Sequence, residues 1–248
     1  MSEDDFAASV GGVSALAEPV RRRLYLYVVA QPEPVGRDQA AAGVGIARHT
    51  AKFHLDRLVG DGLLETEFRR LSGREGPGAG RPAKLYRRAD REVSVSLPAR
   101  RYDLAGAVLA QAIEEASHDG IEVLEAVRRV ATATGRAMGA GPGAESETGG
   151  DMRSDAERLA GVLASCGFEP RVAGSRVTLA NCPFHSLARE HTGLVCGMNL
   201  GLVTGVIDGL GCRSLVAELE PDPGRCCVTP RSAAPADRRA PRRPADGG

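Results

Sequence analysis

Residues 36–64 of this chain read GRDQAAAGVGIARHTAKFHLDRLVGDGLL. Two helical segments, 36–42 and 46–61, are separated by the glycine-containing turn Gly43-Val44-Gly45. A short helix, a tight turn and a second helix in this order are typical of a helix-turn-helix, whose second helix enters the major groove of DNA. The stretch therefore predicts a DNA-reading unit in the first third of the chain.

The second of these helices has an apolar inner face and a polar outer face. The inward positions are Ala51, Leu55 and Leu58. Residues near the start of a recognition helix reach base edges, and Arg and Lys match the acceptors of guanine. The predicted DNA-binding residues of this helix are therefore Arg48, His49, Thr50 and Lys52, together with His54, which is expected to bond locally or to a phosphate.

The segments on either side complete a winged helix. An apolar stripe predicts a helix over residues 15–31, and two strands, over 65–70 and 80–87, flank a glycine-rich tip. Between Arg69 and Arg91 eight cationic residues face two carboxylates. We predict that the wing rests on phosphates, through Arg74, Arg81 and Lys84. A solvated arginine-rich loop would have the same composition.

Residues 15–88 resemble the winged-helix repressors of the ArsR type. The resemblance rests on the helix order, the His54-Leu55 pair, the Asp61-Gly62-Leu63 helix ending and the Gly80-Arg-Pro wing. It implies a winged helix-turn-helix domain over residues 13–90 that binds double-stranded operator DNA. A homodimer is expected, because such repressors read two half-sites. A winged helix that makes only protein contacts is the alternative.

Composition and the N-terminus predict where the protein works. The 248 residues carry a formal net charge of zero, so the overall balance does not indicate a nucleic-acid partner. No apolar run approaches the roughly 20 residues that span a bilayer, and the start, Met1-Ser-Glu-Asp-Asp, is acidic where a signal peptide is basic. We therefore expect a cytoplasmic protein with reduced cysteines, which serve more often as ligands or redox groups than as disulfides.

The rest of the chain is predicted to contain four parts. They are a helical dimerisation or connector region, a flexible linker, a cysteine-bearing sensor domain and a disordered tail, at residues 91–138, 139–150, 151–229 and 230–248. Within the sensor domain a helix begins near Ser154, strands follow, and residues 186–209 are mostly helical. The predicted fold class is α+β, with an N-terminal winged helix-turn-helix domain followed by a C-terminal α/β sensor domain.

All six cysteines lie in the C-terminal half. Four of them recur at intervals of 14, 16 and 14 residues: Cys182, Cys196, Cys212 and Cys226. Cys166 completes an apolar helical stripe and is expected to pack as a small hydrophobe. Cys226 and Cys227 follow a Pro-Asp-Pro-Gly turn, and on a strand their side chains would point opposite ways. We therefore expect only one of these two to be a ligand.

Widely spaced thiolates favour a metal centre between several elements. Thiolates bind iron–sulfur clusters and zinc alike, but the close CxxC pairs of a zinc ribbon are absent from the sequence. His185, three residues after Cys182, is either a substitute ligand or a packed histidine. An enzyme is not indicated, because spacing suggests no third residue to orient a Cys182–His185 pair.

Residues 13–229 also resemble the SufR-type iron–sulfur-sensing repressors that control cluster-assembly operons. Those proteins carry widely spaced C-terminal cysteines behind an ArsR-like winged helix. The resemblance implies a [4Fe–4S] or similar cluster held by Cys182, Cys196, Cys212 and Cys226, although the intervals here differ by a residue or two. It implies a repressor whose operator affinity depends on the cluster. The alternatives are a regulator responding to a small organic effector and a zinc-stabilised regulator.

Overall fold

The protein is described by a computed structural model, which covers residues 3–70, 81–141, 154–222 and 224–233. The chain divides into two compact units, Met1–Ser96 and Leu97–Gly248. The predicted wing tip, most of the predicted linker and the end of the predicted tail lie outside the described residues. Each unit has its own hydrophobic core.

Unit 1 has the helix order and the antiparallel sheet of a winged helix. Its strands follow the order β1–β3–β2, and β2 pairs with β3 from Leu64 opposite Arg88 to Arg69 opposite Ala83. Leu24, Leu55 and Tyr86 are buried in its core. The elements are α1 Glu3–Ala15, α2 Pro19–Val29, β1 Val35–Gly36, α3 Arg37–Val44, α4 Arg48–Gly60, β2 Leu64–Arg69 and β3 Ala83–Arg88.

The turn of the helix-turn-helix depends on two glycines. Gly45 ends α3 with a φ of 71°, a left-handed conformation that glycine adopts without steric cost. At Gly43 a Cβ would lie 2.1 Å from Cε2 of Tyr27, so α3 and α2 meet there without room for a side chain. The predicted turn is therefore confirmed, although α3 continues to Val44.

The N-terminal helices differ from the prediction. A single helix was expected over residues 15–31, but the helix there, α2, begins only at Pro19 and is preceded by a separate helix, α1. The Glu18 carboxylate caps α2, accepting hydrogen bonds from the Val20 and Arg21 backbone N–H groups at 3.0 and 2.6 Å. Pro19 follows this cap in the first turn, where its missing N–H has no cost. A new helix therefore begins at Pro19.

Unit 2 mixes helices with two antiparallel hairpins, β4–β5 and β6–β7. Ser154 caps α7 through a capping box with Glu157, which confirms the predicted start of a helix near Ser154. The region 91–138 is not a separate part, since α5 and α6 share one core with α7 and α9. The elements are α5 Tyr102–Asp119, α6 Val123–Gly139, α7 Asp155–Ser165, β4 Pro170–Ala173, β5 Arg176–Leu179, α8 His185–Glu190, α9 Thr192–Leu210, β6 Leu215–Leu219 and β7 Val228–Ser232.

The backbones of α6 and α9 are in direct contact through glycines. A Cβ at Gly205 would lie 2.1 Å from the Thr132 carbonyl oxygen, and one at Gly135 would lie 2.0 Å from the Leu202 carbonyl oxygen. Such contacts leave no space for any other residue. These glycines therefore set the separation of the two helices on which the core of unit 2 is built.

Helix α9 is long and apolar. By length and composition it could cross a membrane, with 19 residues and a mean hydropathy of 1.5. However, 61% of its apolar window is buried inside the protein, as expected for a core helix. In addition, β7 continues to Ser232, past the boundary at residue 229 that was predicted for the cysteine-bearing domain.

Candidate functional site

The outer face of α4 carries most of the side chains predicted to read DNA. Arg48, His49 and Lys52 are exposed, and Thr50 is half-buried. The Arg48 guanidinium is held by Asp38 of α3, with Nη2 2.6 Å from Oδ2 and Nε 2.5 Å from Oδ1. Arg48 must therefore exchange a carboxylate for a base or a phosphate when it binds DNA.

The structure does not place His54 on this outer face. Its side chain is 13% exposed, and its Nδ1 lies 3.6 Å from the Glu18 carboxylate, which is too long for a hydrogen bond. Position 54 is three residues after Ala51 and four before Leu58, so it borders the inward stripe of the helix. His54 is thus directed towards α2, in agreement with a local contact and not with a phosphate.

Asp56 joins the recognition helix to the wing strand β3. Its carboxylate accepts hydrogen bonds from Lys52 Nζ at 3.0 Å, Lys84 Nζ at 2.7 Å and the Tyr86 hydroxyl at 2.9 Å. Burial opposes ionisation of Asp56, but the hydrogen bonds from Lys84, Lys52 and Tyr86 outweigh it and lower the pKa of the carboxyl to about 2. Two of the predicted DNA-binding cations therefore share one internal carboxylate.

We expect Asp56 to make the stability of unit 1 depend on pH. Because its pKa is lower in the folded state, its ionised form stabilises the fold above about pH 4, and this contribution disappears as the pH falls towards about 2. Asp56→Asn should therefore lower the melting temperature at neutral pH, and the difference from wild type should shrink in acid. Asp38→Asn, which removes an exposed carboxylate from α3, is the control and should show a smaller trend. A pH-independent Asp56→Asn difference would contradict this assignment.

The wing is described only in part. Arg81 is exposed, and the Lys84 ammonium forms an ion pair with Asp56, whereas Arg74 lies outside the described residues.

Phe53 is absent from the predicted DNA-binding set, yet its side chain is 66% exposed on the outer face of α4. Its outward position on the helix is the signal that identifies it. An exposed aromatic ring there is suited to contact the methyl group of thymine.

Four thiols of unit 2 contact one another in series, and we call them the thiol cluster. Cys182 follows β5, Cys196 lies in α9, and Cys226 and Cys227 precede β7. Cys227 Sγ lies 2.6 Å from Cys196 Sγ, and Cys226 is hydrogen-bonded to both Cys227 and Cys182. The contacts thus run from Cys196 through Cys227 and Cys226 to Cys182. All four cysteines are free thiols.

Backbone hydrogen bonds bring these elements together. The Cys226 N–H donates to the Leu179 carbonyl at 2.9 Å, which places the segment before β7 beside the end of β5. The Glu220 N–H donates to the Cys227 carbonyl at 2.7 Å. Because β7 begins only at Val228, the strand alternation expected for Cys226 and Cys227 does not apply. The strand placement expected for these two cysteines was wrong, and both thiols lie in the cluster.

Protonation is unequal across the thiol cluster. The hydrogen bond from Cys226 lowers the pKa of Cys182, and the same bond raises the pKa of Cys226 to about 12. Burial raises the pKa of Cys196 to about 12, and the hydrogen bond with Cys226 raises that of Cys227. Cys182 is therefore the thiol most readily ionised, and binding of a metal by all four would release protons.

Asn199 of α9 supports the cluster from inside the core. Its side-chain amide donates to Cys226 Sγ at 3.1 Å, and the residue is 1% exposed. Its Oδ1 has no hydrogen-bond partner among the described residues. A buried polar atom without a partner is costly and calls for an explanation, such as a group that is bound beside it.

Cys212 and Cys166 lie apart from this group. Cys212 Sγ is 3.8 Å from the Asp155 carbonyl oxygen, because Gly211 ends α9 with a φ of 67° and turns the chain towards α7. Cys166 is 5% exposed and contacts Met138, which agrees with the predicted packing role. The structure therefore brings together Cys182, Cys196 and Cys226 of the predicted ligands, and Cys227 accompanies them instead of Cys212.

The thiol contacts do not amount to a preformed metal site. Over the ranges that the structure describes, no three His, Cys, Asp or Glu side chains are arranged as ready ligands. The His185 ring is exposed at the start of α8, while its backbone N–H donates to the Cys182 carbonyl at 3.1 Å. The donor set itself fits a sulfur-liganded metal group, since it consists of four thiols from three segments.

Comparison with known proteins identifies the DNA-reading part. A family model described as a helix-turn-helix domain matches residues 16–67, which covers α2, α3 and α4. No curated protein and no solved structure matches the chain. The match supports a DNA-binding transcriptional regulator, a class that is typically soluble, cytoplasmic and not enzymatic.

Proposed function

We propose that this protein is a transcriptional repressor whose affinity for operator DNA is controlled by an iron–sulfur cluster in unit 2. The observation that carries the proposal is the contact of Cys182, Cys196, Cys226 and Cys227 within a chain that also holds a helix-turn-helix. Four thiolates are the usual ligand set of [2Fe–2S] and [4Fe–4S] clusters. Cys227 replaces Cys212 in the ligand set inferred from family resemblance.

The residues around the thiols suit such a group. A cluster supplies a redox-active centre that can be lost, and hydrogen bonds to its sulfurs adjust its potential. Asn199 already donates to Cys226 from a fully buried position. The thiols come from a turn, a helix and a loop, so binding and release of one group would act on three segments at once.

On the DNA side, we propose a homodimer in which each α4 enters a major groove of one half-site. Arg48 and Lys52 are assigned to base edges, and Arg81 and Lys84 to phosphates. Arg48 and Lys52 stand on the exposed face of α4, near its N-terminal end. Both are released for DNA only when DNA displaces their carboxylate partners, Asp38 and Asp56.

The proposal is tested on anaerobically purified full-length protein. A brown sample with visible iron–sulfur absorbance, matching iron and sulfide contents, and operator affinity that changes on cluster removal is the expected result. A colourless sample that contains zinc would instead make the protein a zinc-stabilised regulator. A metal-free sample with operator affinity that responds to no metal would leave the small-effector alternative.

We predict that Arg48→Ala weakens binding to the selected operator by about 1–3 kcal/mol and has a much smaller effect on random DNA, because it removes a base contact. Arg57→Ala is the matched control, since Arg57 lies at the other end of α4 and pairs with Asp61 at 3.1 Å. Titrations of both DNAs at one fixed salt concentration measure the effect. Equal losses on operator and random DNA would reassign Arg48 to the phosphates.

A further inference from the structure

The residue before Cys182 is a buried asparagine with a complete set of hydrogen bonds. Asn181 is 7% exposed. Its Nδ2 donates to the Ala99 carbonyl at 3.0 Å and to the Gly167 carbonyl at 2.8 Å, and its Oδ1 accepts from Arg100 Nη1 at 2.5 Å. A buried amide of this kind has a strong preference for one position, because each lost bond leaves a desolvated polar group.

Two further bonds hold the same loop. Arg100 Nη1 also donates to the Cys182 carbonyl at 3.1 Å. The Arg101 backbone N–H donates to the Pro183 carbonyl at 3.1 Å. Residues 99–101 and 181–183 are thus joined by four hydrogen bonds, and we call this arrangement the connector clamp.

The clamp has a defined place along the chain. Unit 1 ends at Ser96, and residues 99–101 belong to the first stretch of unit 2, before α5 begins at Tyr102; we call this stretch the connector. The loop that they hold contains Cys182, whose carbonyl accepts one of the clamp hydrogen bonds and whose thiol belongs to the thiol cluster. A displacement of this loop would therefore act directly on the connector.

We propose that Asn181 and Arg100 are positioning residues that transmit the state of the thiol cluster to the DNA-reading unit. The inference rests on the proposed iron–sulfur function and adds the element through which it regulates. When all four thiols bind one group, the Cys182 loop takes one position, and the clamp fixes the connector accordingly. When the group is lost, the Cys182 loop can change position, and the clamp makes the connector move with it. Coupling of this kind requires an element whose arrangement both sites bias.

The test compares operator affinity with and without the cluster in the full-length protein. Wild type is expected to show a ratio between loaded and cluster-free dissociation constants of about 5- to 150-fold, the usual range for two coupled sites. Arg100→Ala should keep the cluster absorbance and the circular dichroism spectrum of wild type while this ratio falls towards one. Arg100→Lys should restore only part of it, because a single ammonium does not reproduce the guanidinium geometry. Asn181→Ala should act in the same direction.

Arg101→Ala is the matched control, because the Arg101 guanidinium pairs with Asp103 at 2.9 Å and takes no part in the clamp through its side chain. Its ratio should equal that of wild type. A folded, loaded Arg100→Ala variant with the wild-type ratio would overturn the inference while leaving the iron–sulfur function intact. Loss of the cluster in Arg100→Ala would overturn it too, since the residue would then serve ligand binding alone. A wild-type protein with no cluster, or with a ratio of one, would defeat the proposed function itself.

Discussion

Gly205→Ala is expected to destabilise unit 2 by about 3 kcal/mol or more, at the upper end of the effects of overpacking. The added Cβ would lie 2.1 Å from the Thr132 carbonyl oxygen and 2.8 Å from the Arg136 backbone nitrogen. Neither atom can move by a side-chain rotation, so α6 and α9 must separate along their whole contact. Urea unfolding followed by circular dichroism measures the loss.

The same helix provides the control for this substitution. Gly197 has no atom within 4 Å of a built Cβ. Gly197→Ala should therefore stabilise the metal-free protein by about 0.5–1 kcal/mol, the gain in helix propensity. If both variants changed the free energy of unfolding in the same direction, the direct backbone contact between α6 and α9 would not be a determinant of the fold.

Serine substitution of any one of Cys182, Cys196, Cys226 and Cys227 is expected to abolish most of the iron–sulfur absorbance after anaerobic reconstitution. A cluster held by four thiolates loses one ligand in each variant, and a serine hydroxyl is a poor replacement because it is seldom ionised at neutral pH. Operator affinity should then shift by about 1–3 kcal/mol towards that of the cluster-free protein. Absorbance and operator titration are measured on the same samples.

Cys212→Ser is the control that distinguishes the ligand set given by the thiol contacts from the one given by the sequence spacing. The regular sequence intervals include Cys212 and omit Cys227, whereas the contacts include Cys227 and omit Cys212. Cys212→Ser and Cys166→Ser should therefore retain the cluster. If Cys227→Ser retained the cluster and Cys212→Ser lost it, the ligand set given by the sequence spacing would be the correct one. Full clusters in all four variants would end the iron–sulfur proposal.

Local signals in the sequence predicted much of the fold. The glycine turn at Gly43 to Gly45, the Ser154 cap and the recognition helix are each specified by residues within one helical turn of the feature. The break between α1 and α2 also has a local cause, the Glu18 cap before Pro19, but an apolar stripe that continues across it masks the signal. The strand β1 has two residues and depends on its pairing with β3, so periodicity cannot predict it.

The candidate metal site was less accessible to such reasoning. Sequence intervals identify cysteines on different elements, but the contacts depend on where Gly211 turns the chain and on where β7 begins. The first moves Cys212 towards α7, and the second leaves Cys226 and Cys227 in irregular chain. Asn199 could not be singled out, because a polar residue within an apolar helix shows its role only when its neighbour across the core is known.

The internal carboxylates of unit 1 have a consequence for how the protein searches a chromosome. Asp38 pairs with Arg48, and Lys52 and Lys84 share the single negative charge of Asp56. A cation that is already paired adds little to the attraction of an arbitrary stretch of DNA, because contact with a phosphate must first displace its carboxylate. Non-specific sites would then hold the protein only briefly, whereas a matching site would compensate the exchange with base contacts. Pairing of these cations within the protein therefore favours discrimination between DNA sites over total affinity. It shortens the time that the protein spends on the wrong sequence.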